Sequence, residues 1–372
     1  MPGQDWLIEQ VNRELNIPHA YERYCAGLRL EELFTTDSVY LAAKRCASGF
    51  MRKNDTWYFQ QNPWVNSRKL CLKVLSGTFR PGYYRERIIC ERGKQRVIRP
   101  PVYECKVVQK VLCDYLIRPL LEPKMISTSY ASVKGRGTKK MYEDILTVLN
   151  RRLRQDGKKY TIVQTDLTNY FGNIDVQILI YGILGRYIRD TRILELFHAF
   201  SPDEYGLSLG NEASQIPASF FPSAFDHYCK DAMGWDYFRY MDDAMVILPE
   251  ERVAEYRKAF LDFVRKYHMC VREEKIREIP LGTPFVFCKE RFLTDRKTGF
   301  YYRLMNPAIG RNEARKLRTF RVKKRENLMT QEAVDLQYGG VKGAIASHPN
   351  TWKTRKRLEE LYQAVKEEEK DR

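Results

Sequence analysis

The sequence predicts an α+β fold rather than a regular alternation of strands and helices. Three observations carry that reading. Tyr160–Asp166 has the pattern of a strand ending in a carboxylate. Tyr237 to Leu248 has the pattern of a hairpin with two acids at its bend. The last stretch, 306–372, has a helical pattern and is rich in Arg and Lys. The chain has 372 residues, 44% hydrophobic and 30% charged, which suits one multi-lobed globular enzyme or two modest domains and excludes a disordered chain.

Taken in order, residues 1–75 read as mainly helical. Ile8, Val11 and Leu15 recur at helical spacing, and the aromatic stretch from Trp57 to Trp64 reads as a packed connector. From Tyr83 to Cys90 and from Gln95 to Ile98 the pattern is of two strands joined at Arg92-Gly93-Lys94, a hairpin with a basic tip. A helix follows from Val102 to about Leu120 and stops before Pro123. After the acidic hairpin, Val253, Tyr256, Phe260, Phe263, Val264 and Tyr267 mark one face of an amphipathic helix. Eight of the fifteen residues from Arg311 to Arg325 are Arg or Lys, against one acid, Glu313. The end, Lys366 to Arg372, reads as a fraying solvated tail.

The bulk charge narrows the partners. Lys and Arg number 64 against 47 Asp and Glu, a formal charge of +17. That excess favours a polyanion through counterion release, nucleic acid first. An anionic membrane would fit the charge too. No long apolar run is present, however, nor a helix pairing a bare apolar face with an all-basic one, so no membrane is expected. The N-terminus lacks a basic segment followed by an apolar stretch, and no signal peptide is read there. The nine cysteines show no CxxC pair and no zinc spacing, which fits reduced, mainly buried thiols in the cytoplasm.

The chemistry lies in the acids. Phosphoryl transfer to a 3′-hydroxyl needs charge neutralisation and in-line positioning more than covalent help. Two magnesium ions about 3.5–4 Å apart supply both. Magnesium takes oxygen ligands, so such a site needs carboxylates converging from neighbouring strands. Asp166 at a strand end and Asp242-Asp243 at a hairpin bend meet that requirement, although an Asp pair on its own is more often an ordinary turn feature.

These residues also carry a resemblance. Tyr240-Met241-Asp242-Asp243 matches the YxDD signature of reverse transcriptases, and Asp166-Leu167-Thr168-Asn169-Tyr170-Phe171 resembles their motif A. Between them, the segment from Gly206 to Gln215 is similar to motif B, which contacts template and incoming nucleotide. Arg92 to Pro100 resembles the fingers hairpin, Lys134-Gly135-Arg136-Gly137 the template-contacting stretch, and Phe285 to Lys289 the primer-grip hairpin. The ordered matches run from about residue 79 to 292, with weaker thumb-like similarity to about 365.

The resemblance implies a right-hand polymerase with fingers, an antiparallel palm sheet and a helical thumb. Its parts would be an N-terminal helical region at 1–75, fingers at 76–145, palm at 146–295 and thumb at 296–372. It makes Asp166, Asp242 and Asp243 catalytic metal ligands for two Mg2+, with Mn2+ a substitute, and puts Leu167 in the same metal site. Lys94, Arg96 and Arg99 would grip the triphosphate, Arg in bidentate fashion. Phe171 takes the place of the steric gate that excludes a ribose 2′-hydroxyl, the alternative being a core Phe packed under the sheet. Gly210 and Gln215 would line the template–nucleotide pocket, and Lys275 stands where motif D supplies a general acid. His227 is read as structural. The basic run 311–325 would track a duplex, its alternative being a solvated helix face.

Motif B ends Ser214-Gln215 where many relatives have Ser-Pro. With Arg239 before the signature, this resembles the enzymes of bacterial and phage diversity-generating retroelements and antiphage-defence systems. The chain after the palm has room for a thumb but not for an RNase H, HNH or integrase domain. The expected partners are an RNA template, a DNA or RNA primer, dNTPs and a cognate non-coding RNA, with an accessory protein or a second copy left open. Two alternatives remain: untemplated or protein-primed synthesis on the same fold, and an inactive RNA-binding scaffold.

Overall fold

Amphipathic spacing in the first third of the chain produces helices that bury one side. The structure, a computed structural model, describes residues 27–47, 54–91, 94–155, 159–201, 203–346, 348–349 and 351–368. In chain order the longer elements are α1 (Thr36–Ala47), α2 (Asn54–Gln61), α3 (Pro63–Leu75), β1 (Arg87–Glu91), β2 (Lys94–Ile98) and α4 (Tyr103–Leu112). Then come α5 (Thr138–Gln155), β3 (Tyr160–Asp166), α6 (Thr191–Phe200), α7 (Glu212–Phe220), β4 (Asp236–Tyr240), β5 (Asp243–Pro249) and α8 (Val253–Lys266). The chain continues through β6 (Arg277–Pro280), β7 (Phe285–Phe287), β8 (Glu290–Thr294), β9 (Tyr301–Met305), α9 (Pro307–Arg325), α10 (Gln331–Ala346) and α11 (Trp352–Glu367).

Two compact units emerge. The first takes the described residues up to Lys134 with Asp166–Trp235 and Ala254–Lys275; the second takes Gly135–Thr165, Asp236–Val253 and the chain from Ile276 onward. In the first unit, α4 runs on through a wider turn at Cys113–Ile117 to Leu121 and gives way to a 3-10 turn that contains Pro123. The buried Asp114 on that helix pairs with Arg45 of α1 at 2.6 Å and Lys110 at 3.0 Å, so one desolvated carboxylate is compensated by cations from two helices. The apolar face of α8 is buried as expected. Tyr256, Phe260 and Phe263 pack around Phe225, whose ring stacks on Phe263 at 5.0 Å.

The second unit is built on a sheet of order β4-β5-β3-β6, complete except that its last β3 residue, Asp166, is where the chain enters the first unit. Pairing is antiparallel between β4 and β5 and between β3 and β6. The Glu250 N–H donates to the Lys159 carbonyl at 3.0 Å, tying the end of β5 to the start of β3, so these strands also run antiparallel. Arg151 and Arg152 of α5 hold Asp236 at the start of β4, at 2.9 and 2.7 Å. A second sheet, β7-β8-β9, is antiparallel throughout. Buried Glu290 on β8 meets His348 and, at 3.6 Å, Arg303 of β9.

Helices α9, α10 and α11 close around Leu317, Val334, Tyr338, Val341, Leu358 and Tyr362. The Tyr338 and Tyr362 rings stack at 3.8 Å.

Four local expectations need correction. Lys94 is not in the hairpin tip but opens β2, paired with Glu91; Arg92 and Gly93 lie outside the described residues. Trp57 to Trp64 is only partly a packed connector: it spans α2 and the start of α3, with Phe59 buried against Tyr103 but Trp57, Tyr58 and Trp64 exposed. The C-terminal segment is docked as far as Glu368, whose carboxylate is held by Arg321 and Arg325 of α9; 369–372 lie outside the described residues. Strand β1 begins at Arg87, and Tyr83 makes only an isolated bridge to Pro101. Ile8, Val11 and Leu15 also lie outside the described residues.

Leu317 is fully buried between the three C-terminal helices. Leu317→Ala removes that contact and leaves a cavity costing about 2–5 kcal/mol. Hydrogen exchange should accelerate across α9–α11 and stay unchanged in α1–α4.

Candidate active site

The hairpin β4–β5 turns in two residues. Tyr240 pairs with Asp243, leaving Met241 and Asp242 at the bend. Met241 has φ +59°, a left-handed conformation that costs a residue with a Cβ about 1–2 kcal/mol. Its carbonyl is met from below by Arg239, only 2% exposed, whose Nη1 donates at 2.9 Å. A buried guanidinium therefore braces the strained bend from inside the sheet. Asp242 and Asp243 are half-buried.

A second turn stands against the first. Phe287 pairs with Glu290, so Cys288 and Lys289 form the whole β7–β8 connection, both with positive φ, +43° and +77°. Two-residue hairpins favour this geometry because it matches strand twist, but it normally recruits Asn-Gly. Here it is held from outside: the Tyr142 hydroxyl of α5 donates to the Cys288 carbonyl, and Gln164 of β3 donates to the Val286 carbonyl at 3.1 Å. The Cys288 thiol then lies 3.6 Å from Asp243 Oδ2, as donor. Burial and the neighbouring Asp243 carboxylate push that thiol well above its ordinary range, so it keeps its proton.

Asp166 is the last residue of β3. Because β3 and β5 are antiparallel neighbours, this strand end and the β4–β5 bend lie at the same end of the sheet. The half-buried Asp166 carboxylate makes an ion pair with Lys275, which sits on a short turn, Glu273–Lys275. Buried Leu167 bridges Val271, and the Thr168 N–H donates to the Cys270 carbonyl at 2.8 Å, which fixes the strand's exit. Among the described residues, no three His, Cys, Asp or Glu side chains are grouped as ligands of a metal ion. By type, the acids at this sheet end offer only oxygen donors, which suits a hard divalent cation such as magnesium. The Lys275 ammonium supplies the positive charge at Asp166 in the present arrangement.

The loop after β3 carries Phe171, half-buried, its ring edge-on to Tyr170 at 5.8 Å. The Leu207 N–H donates to the Phe171 carbonyl at 2.8 Å, and a Cβ on Gly206 would stand 3.3 Å from the Gly172 carbonyl oxygen. Gly210, with φ +105°, presses on the end of β2, where a Cβ would meet Ile98 at 3.3 Å. Gln215 is exposed on α7, between buried Ser214 and Ile216.

Of the expected triphosphate ligands, Lys94 and Arg96 lie on β2, opposite Glu91 and Ile89. Arg99 is committed to Glu86 at 2.6 Å, and that carboxylate raises its pKa further. His227 is held by Asp231 and by the Lys124 carbonyl at 2.8 Å.

Sequence reasoning missed a buried network beneath the loop that holds Gly210. Asn211, fully buried, accepts from Gln109 Nε2 at 3.0 Å and donates to the Tyr83 hydroxyl at 3.3 Å and the Phe200 carbonyl at 3.4 Å. Lys110 and Arg118 reach Glu212 at the start of α7, at 3.1 and 3.4 Å. The available signal was a pair of amides, Gln109 on an otherwise apolar helix face and Asn211 just before a helix.

The family model for reverse transcriptase (RNA-dependent DNA polymerase) matches residues 86–290, more than half of the chain. No curated protein matches the sequence. Among solved structures, the chain is similar to apo telomerase from Candida tropicalis truncated from its C-terminal domain, at 15% identity and a TM-score of 0.42, covering 59% of this chain and 56% of that one. It is also similar to telomerase from Candida albicans in complex with a TWJ fragment of telomeric RNA, at 11% identity and a TM-score of 0.45, covering 85% of this chain and 65% of that one. It therefore spans less than two thirds of either telomerase chain. No helix among the described residues is long and apolar enough to cross a membrane. With a strand-end Asp, a two-residue Asp-Asp bend, an antiparallel sheet and a family match spanning them, the chain belongs to the reverse transcriptase family, with the right-hand polymerase fold.

Proposed function

We propose that this chain is an RNA-directed DNA polymerase that copies a dedicated non-coding RNA into cDNA, serving a cytoplasmic retroelement or antiphage-defence system. The observation that carries the reading is the placement of Asp166 and the Asp242-Asp243 bend at one end of an antiparallel sheet. In this reading Asp166 and Asp242 are the principal ligands of two Mg2+ ions, with Mn2+ able to replace them. Asp243 supports them, and Leu167 can contribute only its carbonyl oxygen. When bound, such ions neutralise the triphosphate and favour the deprotonated 3′-hydroxyl.

The surrounding residues take roles by position. Cys288, donating to Asp243, fixes that carboxylate's rotamer and couples the β7–β8 primer-grip hairpin to the acids. Lys275, paired with Asp166 before substrate arrives, is the candidate proton donor to the departing pyrophosphate. Lys94, Arg96 and Arg99 form the basic strand that receives the triphosphate, Arg99 exchanging Glu86 for phosphate. Gly210 and Gln215 face the template–nucleotide pocket. The α9 stripe Arg311, Arg315 and Arg318, exposed at helical spacing, suits a duplex backbone. The fingers, palm and thumb are taken as 76–145, 146–295 and 296–372, after an N-terminal helical region at 1–75. The primer is DNA or RNA; an accessory protein or a second copy of the chain completes the assembly where one is needed.

The test is primer extension on a defined RNA template with dNTPs and magnesium. The native chain should extend the primer, and Asp242→Ala should lose about 10²–10³-fold or more, as removal of a principal charge stabiliser does. Extension by native protein and variant alike would remove Asp242 from the chemistry. Extension without any template would favour untemplated synthesis. No extension by either with magnesium or manganese and the cognate RNA would favour a scaffold.

The same assay with ribonucleotides reads the gate. Phe171→Val should admit rNTPs while leaving dNTP incorporation nearly intact. Unchanged sugar selectivity would return Phe171 to a packing role.

A further inference from the structure

Helices α1–α3 precede the matched region 86–290 and take no part in the site above. Their outer surface is unusual. Trp57 is 48% exposed, Tyr58 67% and Trp64 50%, and Val65 and Leu72 are exposed as well. Single exposed apolar residues need no explanation, but three large rings within eight residues do.

Positive charge follows the last of the rings along α3. Trp64, Arg68 and Leu72 recur every four residues along one face of α3, with Val65 and Lys69 beside them, whereas Lys73 is paired with Glu104 at 3.0 Å. Helix α3 has no acidic residue. At its start, Trp64 packs edge-on against Tyr40 of α1 at 5.4 Å, and the Lys44 ammonium stands 4.9 Å from the Tyr40 ring centre. Trp57 and Tyr58 pack edge-on at 5.1 Å on α2. Asn66 of α3 donates to the Phe59 carbonyl at 3.0 Å, so α2 and α3 are held together. Trp64 is therefore held against α1, and Trp57 and Tyr58 against each other.

We propose that this face is a second nucleic-acid contact, a stacking platform for single-stranded RNA outside the copied segment. Exposed rings at Trp57, Tyr58 and Trp64, followed along α3 by exposed Arg68 and Lys69, suit a chain that offers bases to stack and phosphates to pair. A protein partner is the poorer fit, since the centres of protein interfaces are depleted in charge. The choice of RNA rests on the proposed RNA-templated activity. The polymerase site accommodates only the segment being copied, and a longer template needs a hold elsewhere.

The experiment needs no synthesis. Full-length protein is mixed with a 4-thiouridine-substituted single-stranded RNA without primer, cross-linked, and mapped by mass spectrometry. Binding of the same RNA, fluorescein-labelled, is followed by anisotropy for the native chain, Trp64→Ala/Arg68→Ala and Trp64→Phe, with circular dichroism verifying the fold. Cross-links within Trp57–Leu72, a loss of roughly tenfold or more in affinity for the double variant, and near-native binding by Trp64→Phe are expected. Cross-links confined to residues 86–325, or undiminished affinity in the double variant, overturn the proposal. So does a change in sedimentation from dimer to monomer with RNA binding intact, which would assign the face to a second copy. Because binding is read without extension, failure here leaves the polymerase reading standing, and failure of extension leaves this one standing.

Discussion

Two adjacent carboxylates at a hairpin bend repel one another, and a protein that keeps them half-buried must hold the backbone against that repulsion. The β4–β5 bend does this from beneath. Arg239 is buried in the sheet and gives its guanidinium to the Met241 carbonyl. From the side, the Cys288 thiol supplies a hydrogen bond but no charge. The cation needed at Asp166 comes from Lys275, a flexible ammonium that can yield its place, unlike a forked guanidinium. Much of the second unit follows from this constraint: Tyr142 and Gln164 pin the β7–β8 hairpin so that Cys288 reaches Asp243, and Arg151 and Arg152 secure β4 at its start.

The elements with strong periodicity were legible in the sequence. Strand β3, the β4–β5 hairpin, helix α8 with its aromatic face and the basic helix α9 all have one apolar face or a long apolar run, and burial follows such patterns directly. The acids were legible because a short spacing carries them. What stayed hidden depends on tertiary partners. The Cys288-Lys289 turn has none of the residues that announce a two-residue hairpin, since its geometry is enforced by Tyr142 and Gln164 rather than by local preference. The Asn211–Gln109 network joins residues far apart in the chain. Arg99 looked like a free cation in sequence, yet Glu86 lies within its reach across the hairpin. Glu368 looked like part of a solvated tail until α9 placed Arg321 and Arg325 beside it.

The charge of +17 is likewise more structured than its sum. On α9, Lys324 is buried and donates to the Val365 carbonyl at 3.0 Å, while Arg321 and Arg325 serve the helix bundle through Glu368. Lys316 is paired with Glu313 at 2.8 Å, and what remains exposed is the line Arg311, Arg315 and Arg318 with Lys323 apart from it. A basic run therefore divides its labour between packing and an outward face suited to phosphate.

The central claim is that the end of β3 and the β4–β5 bend together hold divalent cations. Its most direct test is a titration of Mn2+ followed by electron paramagnetic resonance, with primer–template and an unreactive dNTP present, on the native chain and on Asp166→Asn and Asp242→Asn. The account predicts two bound ions per native chain, with loss of binding in both variants. Undiminished Mn2+ binding in either variant would contradict it.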